Sequence, residues 1–185
     1  PVPAVRHGLH EKLVQSGCNN VVVLPFALSD RTERGEFNFI PNLPEEGGLK
    51  RRHRYNAEPE AFIPVEVAVK RLDDMVPVGA DIVFIKIDVE GAELAVLEGA
   101  QGILQKNRPV VAFECGAGSF LGYHDRPEDI WKLFDQLDYR IISITGEMMH
   151  TAEKFRKESH VQKFWDYIAI HKRDEQATKY LTGSS

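Results

Sequence analysis

Apolar and polar positions along this chain change period repeatedly, and the changes predict strands alternating with helices. Val5, Leu9, Leu13 and Val14 recur at helical spacing and "SGCNN" supplies a stop, which predicts a helix over Pro3–Gln15. The β-branched run "VVVLPFAL" (21–28) predicts a short buried strand. "SDRTERG" is turn chemistry, and "EFNFI" (36–40) alternates as a half-exposed strand does. Residues 42–60 mix Pro, Gly and charge and predict a long loop, a candidate mobile lid that orders over an acceptor.

"IPVEVAVK" (Ile63–Lys70) alternates at period two and leads into "RLDDMV". "DIVFIKID" (81–88) is nearly continuous in apolar residues, as strands buried on both faces of a parallel sheet are. Val96, Leu97, Ala100, Ile103 and Leu104 then form one apolar stripe on a single helix that "NRP" ends. "VVAFEC" (110–115) predicts another buried strand, and "RPEDIWKLFDQLD" (126–138) a helix with Pro127 near its first turn. "YRIISI" (139–144) and "FWDYIAIHK" (164–172) predict two last strands. The polar stretch between them predicts a hairpin-like excursion. Alternation of this kind implies an α/β fold with a mostly parallel sheet covered by helices.

Composition narrows the partners. With 185 residues the chain suits one domain, and a net charge of −5 offers no footprint for nucleic acid or an anionic membrane. The basic run "LKRRHRY" (49–55) is the local exception, read as a solvated loop. Its apolar runs fall short of the ~20 residues of a membrane helix. Cys18 and Cys115 stand far apart without metal-ligand spacing, which argues against a disulfide scaffold or structural zinc and fits a reducing, cytoplasmic setting.

The chemistry collects where strands end. In parallel sheets ligands bind at the carboxyl ends of the strands, and Asp88 and Glu114 end two successive ones. Asp88, Glu90 and Glu93 also suit a helix start, where acids cap N–H groups and meet the positive end of the dipole. Gly91 argues for more than capping, since a glycine there implies close approach of something to the backbone. Lys86 reads as an inward-facing lysine paired with an acid. His124, in the loop after Glu114, is the histidine best placed as a general base, although an ordinary loop role fits it as well. Asp88 and Glu114 could share a divalent cation through oxygens. The sequence shows no third ligand, so no metal is assigned.

At these residues the chain resembles a known family. "FIKIDVEGAELAVLEGA" (84–100) looks like the signature of the FkbM-type methyltransferases, a class I family dependent on S-adenosylmethionine. "NNVVVLPFALSD", "VAVKRLDDMV", "RPVVAFECG" and "WDYIAIHK" resemble the family's third strand, its approach to strand four, strand five and the last strand. The resemblance covers residues 1–172 and leaves 173–185 as a polar tail. It implies a Rossmann-like seven-stranded sheet with an antiparallel last strand. It also implies that Ala27, Leu28 and Ser29 lie beside the adenine and Asp88 near the methionine end of the cofactor. Glu90 and Glu114 would line the acceptor pocket.

The implied reaction is methyl transfer to a hydroxyl of a small molecule such as a sugar or natural product. Two features of the family pattern are missing: a glycine-rich turn after strand one and an acid ending strand two. The expectation is therefore a longer protein whose upstream part supplies both strands, with weak cofactor binding by this chain alone. A non-catalytic binding module that kept the fold is the competing reading, and a metal-dependent hydrolase or transferase using Asp88 and Glu114 a third.

Overall fold

A computed structural model describes residues 1–51, 62–116, 123 and 126–183. Helix α1 (Pro3–Gln15) forms where the sequence predicts it, with Pro3 in its first turn, yet none of its residues is buried. Its expected apolar stripe, including Val5 and Leu9, lies exposed. Of the strand expected over 21–28, only β1 (Phe26–Leu28) pairs, parallel to β3 (Ile63–Lys70). A strand needs a neighbour for its N–H and C=O groups. Residues 21–24 find none among the described residues, and Val22 stands 82% exposed. The strand β2 (Glu33–Phe39) runs antiparallel along the other side of β3, giving the order β1-β3-β2.

A second sheet holds β4 (Phe84–Ile87), β5 (Val110–Glu114), β6 (Tyr139–Ser143) and β7 (Asp166–His171) in the order β4-β5-β7-β6. Strand β4 is parallel to β5, and β7 is antiparallel to both β5 and β6. Three strands thus point one way and the last runs against them. The single sheet expected from the sequence is two sheets among the described residues. Strands β1 and β4 each have one edge without a paired strand.

Burial concentrates in the second sheet. Phe113 of β5 lies 5.3 Å from Phe134 and 6.0 Å from Tyr167 between ring centroids, and Phe155 meets Tyr167 edge-on at 4.9 Å. Such geometries suit the ring quadrupoles and add to the area that these residues bury. Helix α5 (Pro127–Gln136) turns Ile130, Leu133 and Phe134 into this core. The excursion expected between the last strands instead contains a helix, α6 (Ala152–His160), started by the Thr151 hydroxyl accepting the N–H of Lys154 at 3.1 Å. Only Phe155 and Ser159 of α6, one turn apart, are buried, so its inner face is narrow. Within the polar tail, Glu175–Thr182 forms α7, capped by Asp174. Among the described residues no helix is long and apolar enough to cross a membrane.

The helix expected after β4 divides in two, α3 (Glu93–Glu98) and α4 (Gln101–Asn107), with Gly99 and Ala100 between them. Its apolar stripe survives the division: Val96, Leu97, Ala100, Ile103 and Leu104 are all buried. The break serves the joint between the two sheets. Asp73, on the short α2 (Leu72–Met75) after β3, donates its N–H to Gly99 O at 2.9 Å. Its carboxylate accepts the N–H groups of Gly102 at 2.9 Å and Ile103 at 3.0 Å, capping α4 from a distant part of the chain. Gly99 packs so closely on β1's neighbour Ser29 that a methyl group there would overlap the Ser29 carbonyl oxygen.

Gly99→Ala should therefore destabilise the chain by about 1–3 kcal/mol, the usual range for overpacking. Gly8→Ala, in α1 with nothing within 4 Å of the added methyl group, should be neutral or stabilising. Urea denaturation of the two variants checks this, and equal midpoints would mean that the joint yields.

Candidate functional site

The residues after β4 form a left-handed turn. Glu90 has φ 58° and Gly91 φ 102°. A non-glycine residue in this region costs about 1–2 kcal/mol and persists only where its surroundings hold it. Here the holding group is Glu93, the first residue of α3. One of its oxygens accepts the N–H of Gly91 at 3.1 Å and of Val89 at 3.3 Å, on either side of Glu90. Glu93 is 1% exposed. The capping explanation is thus right for Glu93 in kind, but the N–H groups it satisfies belong to the turn before the helix. The positive φ of Gly91 is by itself a reason for glycine at this position.

This turn sets Asp88 and Glu90 facing Glu114, the last residue of β5. Carboxylate oxygens of Asp88, Glu90 and Glu114 lie within 4.8 Å of one another. The third acid that the sequence reading lacked is Glu90. Its place beside Glu114 depends on the left-handed turn, which spacing along the chain does not reveal. Burial pushes the Glu114 carboxyl up to about 7, and the charges of Glu90, Asp88, Glu93 and Asp166 add to the shift. Glu93 is also raised, chiefly by burial, against the pull of its backbone hydrogen bonds. Lys86 answers part of this charge, with its Nζ 3.0 Å from Asp166 and 3.8 Å from Asp88. It is a paired lysine, as the sequence suggests.

A cavity of about 280 Å³ opens beside the turn. Ala27 and Leu28 line it together with Asp88 and Glu90, so four of the expected site residues meet in one place although they come from different sheets. Glu114 lies within carboxylate reach of two of them. Ser29 is outside the lining. It is buried against Gly99, and its hydroxyl donates to Asp30 at 2.9 Å. His124 lies outside the described residues. So do residues 52–60 of the expected lid, but Gly47, Gly48 and Leu49 of that loop line the cavity. Two backbone bonds between Asn38 and Gly48 pin this part to β2.

Phe37 also lines the cavity and was not among the expected site residues; its alternation within β2 marked it only as one face of a strand. A cavity of about 340 Å³ beside β6 is larger, but its charges are already engaged. Arg140 donates to Lys172 O at 2.8 Å, and Lys172 pairs with Asp135 at 2.8 Å.

Residues 1–141 match the family model described as the methyltransferase FkbM domain. A crystal structure of a methyltransferase FkbM from Methylobacillus flagellatus KT shares the fold at a TM-score of 0.50 and 18% identity. The alignment covers 92% of this chain and 35% of that one, so the chain spans about a third of the length of this relative. No curated protein matches the chain.

The raised Glu114 carboxyl makes stability depend on pH. The folded chain keeps this proton up to about pH 7, while an unfolded chain releases it near the ordinary value of 4.5. Its contribution is complete below pH 4.5 and is lost as the pH rises through about 7. Denaturant midpoints should fall across that interval, and Glu114→Gln should reduce the fall. An unchanged pH dependence in the variant would assign the slope to other acids.

Proposed function

The chain belongs to the methyltransferase FkbM family, and on that premise we propose that it moves a methyl group from S-adenosylmethionine to a hydroxyl of a small acceptor. The observation that carries the reading is the shared cavity. Apolar Ala27 and Leu28 face the same space as the carboxylates of Asp88 and Glu90. An adenine suits the apolar wall, and a sulfonium, being cationic, suits the acidic one. Asp88 directly follows β4, so it can orient the methionine end of the cofactor and the acceptor together. Ser29, outside the lining, supports the adenine wall from behind through its place at the end of β1.

Methyl transfer is an in-line displacement. The acceptor oxygen forms a bond to the methyl carbon, the carbon–sulfur bond breaks, and its electron pair neutralises the sulfonium. The hydroxyl proton must leave to a base. Glu114 suits that role, because a carboxyl raised to about 7 holds a proton better than an ordinary one and still ionises near neutrality. Most of the catalysis in this scheme is positioning, and a rigid turn on the end of a strand supplies it. His124 is a second candidate base from the sequence. The acceptor is taken as a small hydroxylated molecule such as a sugar or natural product, and the protein as a cytoplasmic enzyme.

Asp88→Asn should lower methyl transfer by ~10² or more while leaving the fold intact, as loss of a group that orients the reactants does. Labelled S-adenosylmethionine with a panel of hydroxylated acceptors measures it, and circular dichroism checks the fold. Near-normal turnover in the variant would remove Asp88 from the chemistry and leave it a structural residue of the turn.

A further inference from the structure

We propose that Trp165 and Gln162 form a platform for a sugar ring beside Glu114, so that the methyl acceptor is a carbohydrate. This rests on the reading of Glu114 as the base of the reaction and deepens it by naming the acceptor class. The place of the platform comes from the sheet. Strand β7 runs antiparallel to β5, and its first residue, Asp166, pairs with Glu114, the last residue of β5. One rung further, the Cys115 N–H donates to Trp165 O at 2.9 Å. The Trp165 ring lies against Gly116, where an added Cβ would stand 3.2 Å from two of the ring carbons, tighter than side chains normally pack. Glycine thus lets the indole rest on the backbone. Gly116 follows Glu114 by two residues, which span at most about 7 Å of chain. A molecule the size of a hexose can touch both the ring and the carboxyl.

The two tryptophans of the chain are used differently. Trp131 packs against the core and donates its indole N–H to Met149 O at 3.1 Å. Trp165 is 48% exposed, at the end of the sheet where Glu114 stands, and its indole N–H is left to solvent. An indole face half in water gives the fold little. To a ligand it offers a broad, rigid apolar surface with a donor at its rim.

Gln162 supplies a separate observation. Helix α6 closes with the Gln162 N–H donating to Ser159 O at 3.2 Å and the Lys163 N–H to Glu158 O at 3.1 Å. This closure puts Gln162 in the left-handed region, at φ 50°. Glycine is the usual occupant of that place, so folding alone would favour glycine. The chain has glutamine there, and its amide nitrogen lies 3.4 Å from the same point beside Gly116 that the Trp165 ring approaches. A carboxamide therefore stands at the edge of the ring.

The ligand class follows from this mixture. One flat apolar surface is flanked by a carboxyl, a carboxamide and an indole N–H. The C–H face of a pyranose covers the indole, and its several hydroxyls meet all three polar groups. One of those hydroxyls is presented to Glu114 for methylation while Gln162 holds another. A phenol covers the ring as well, but with one hydroxyl it leaves polar groups without partners, which costs binding.

Titration calorimetry of the protein against a panel of methyl pyranosides and simple phenols tests this, with and without S-adenosylhomocysteine. The expected result is saturable binding of at least one pyranoside, weakened about tenfold or more by Trp165→Ala and largely restored by Trp165→Phe. Gln162→Gly should weaken binding and yet raise the urea midpoint, because it relieves the left-handed residue. A merely structural role for Gln162 would not give those opposite signs. Tyr180→Ala, which removes an exposed aromatic residue of α7, should bind as the parent does, and circular dichroism checks the fold of each variant. No pyranoside binding by about 10 mM overturns the proposal. So does binding of phenols alone, or sugar binding that Trp165→Ala and Gln162→Gly leave unchanged. Sugar binding that responds to these variants without methyl transfer would keep the platform and remove the reaction. Methyl transfer to another acceptor, unchanged by Trp165→Ala, would remove the platform and leave the reaction standing.

Discussion

One aspartate holds the two sheets against each other. Asp73 leaves the first sheet on α2 and engages the helical crossover of the second through both its N–H and its carboxylate. Each bond is ordinary, worth about 0.5–1.5 kcal/mol net, but they act on one side chain and across thirty residues of sequence. Gly99 lets the joint close, because it alone leaves room for the Ser29 carbonyl. Everything said of the site depends on this contact. Ala27 and Leu28 belong to one sheet, Asp88 and Glu90 to the other, and they face one cavity where Asp73, the Ser29–Gly99 contact and the packing of Leu28 and Leu72 on the second core join the two.

The second constraint is local and costs stability. Glu90 is held in a left-handed conformation, and Glu93 is buried with one oxygen that has no hydrogen-bond partner among the described residues. Asp88, Glu90 and Glu114 crowd within 4.8 Å of each other. Positions like these recur where a fold has been shaped around chemistry, since burial and like charges raise the pKa of a carboxyl into the working range. A purely structural turn would do better with a small neutral residue in place of Glu90. The acids are therefore the part of the chain least explained by folding, and the sulfonium of the proposed cofactor would suit them.

The strands and helices with a strong period were legible in the sequence. Val96, Leu97, Ala100, Ile103 and Leu104 predicted a buried stripe, and burial follows it residue by residue. What escaped was set by contacts between distant segments. The division of that helix at Gly99 answers to Ser29 and Asp73, neither of which is near in sequence. The helix α6 buries only Phe155 and Ser159, so a polar sequence with one buried aromatic residue reads as an excursion. Residues 21–24 look like strand because they are β-branched, yet without a described neighbour they stay unpaired. Of the candidate site, Asp88, Glu90 and Glu114 were readable as chemistry-bearing acids at strand ends. Their convergence was not, because it follows from φ at Glu90 and Gly91. The hold of Glu93 on the turn was read as helix capping because only three-dimensional structure shows which N–H groups it takes.

The central claim is that the apolar wall at Ala27 and Leu28 and the acids after β4 bind one cofactor between them. A crystal structure of the protein with S-adenosylhomocysteine, the product of methyl transfer, tests this most directly. The account predicts the adenine against Ala27 and Leu28, with the sulfur on the side of Asp88, Glu90 and Glu114. Product bound elsewhere, such as in the cavity beside β6, or bound with its sulfur turned away from these acids, would contradict it.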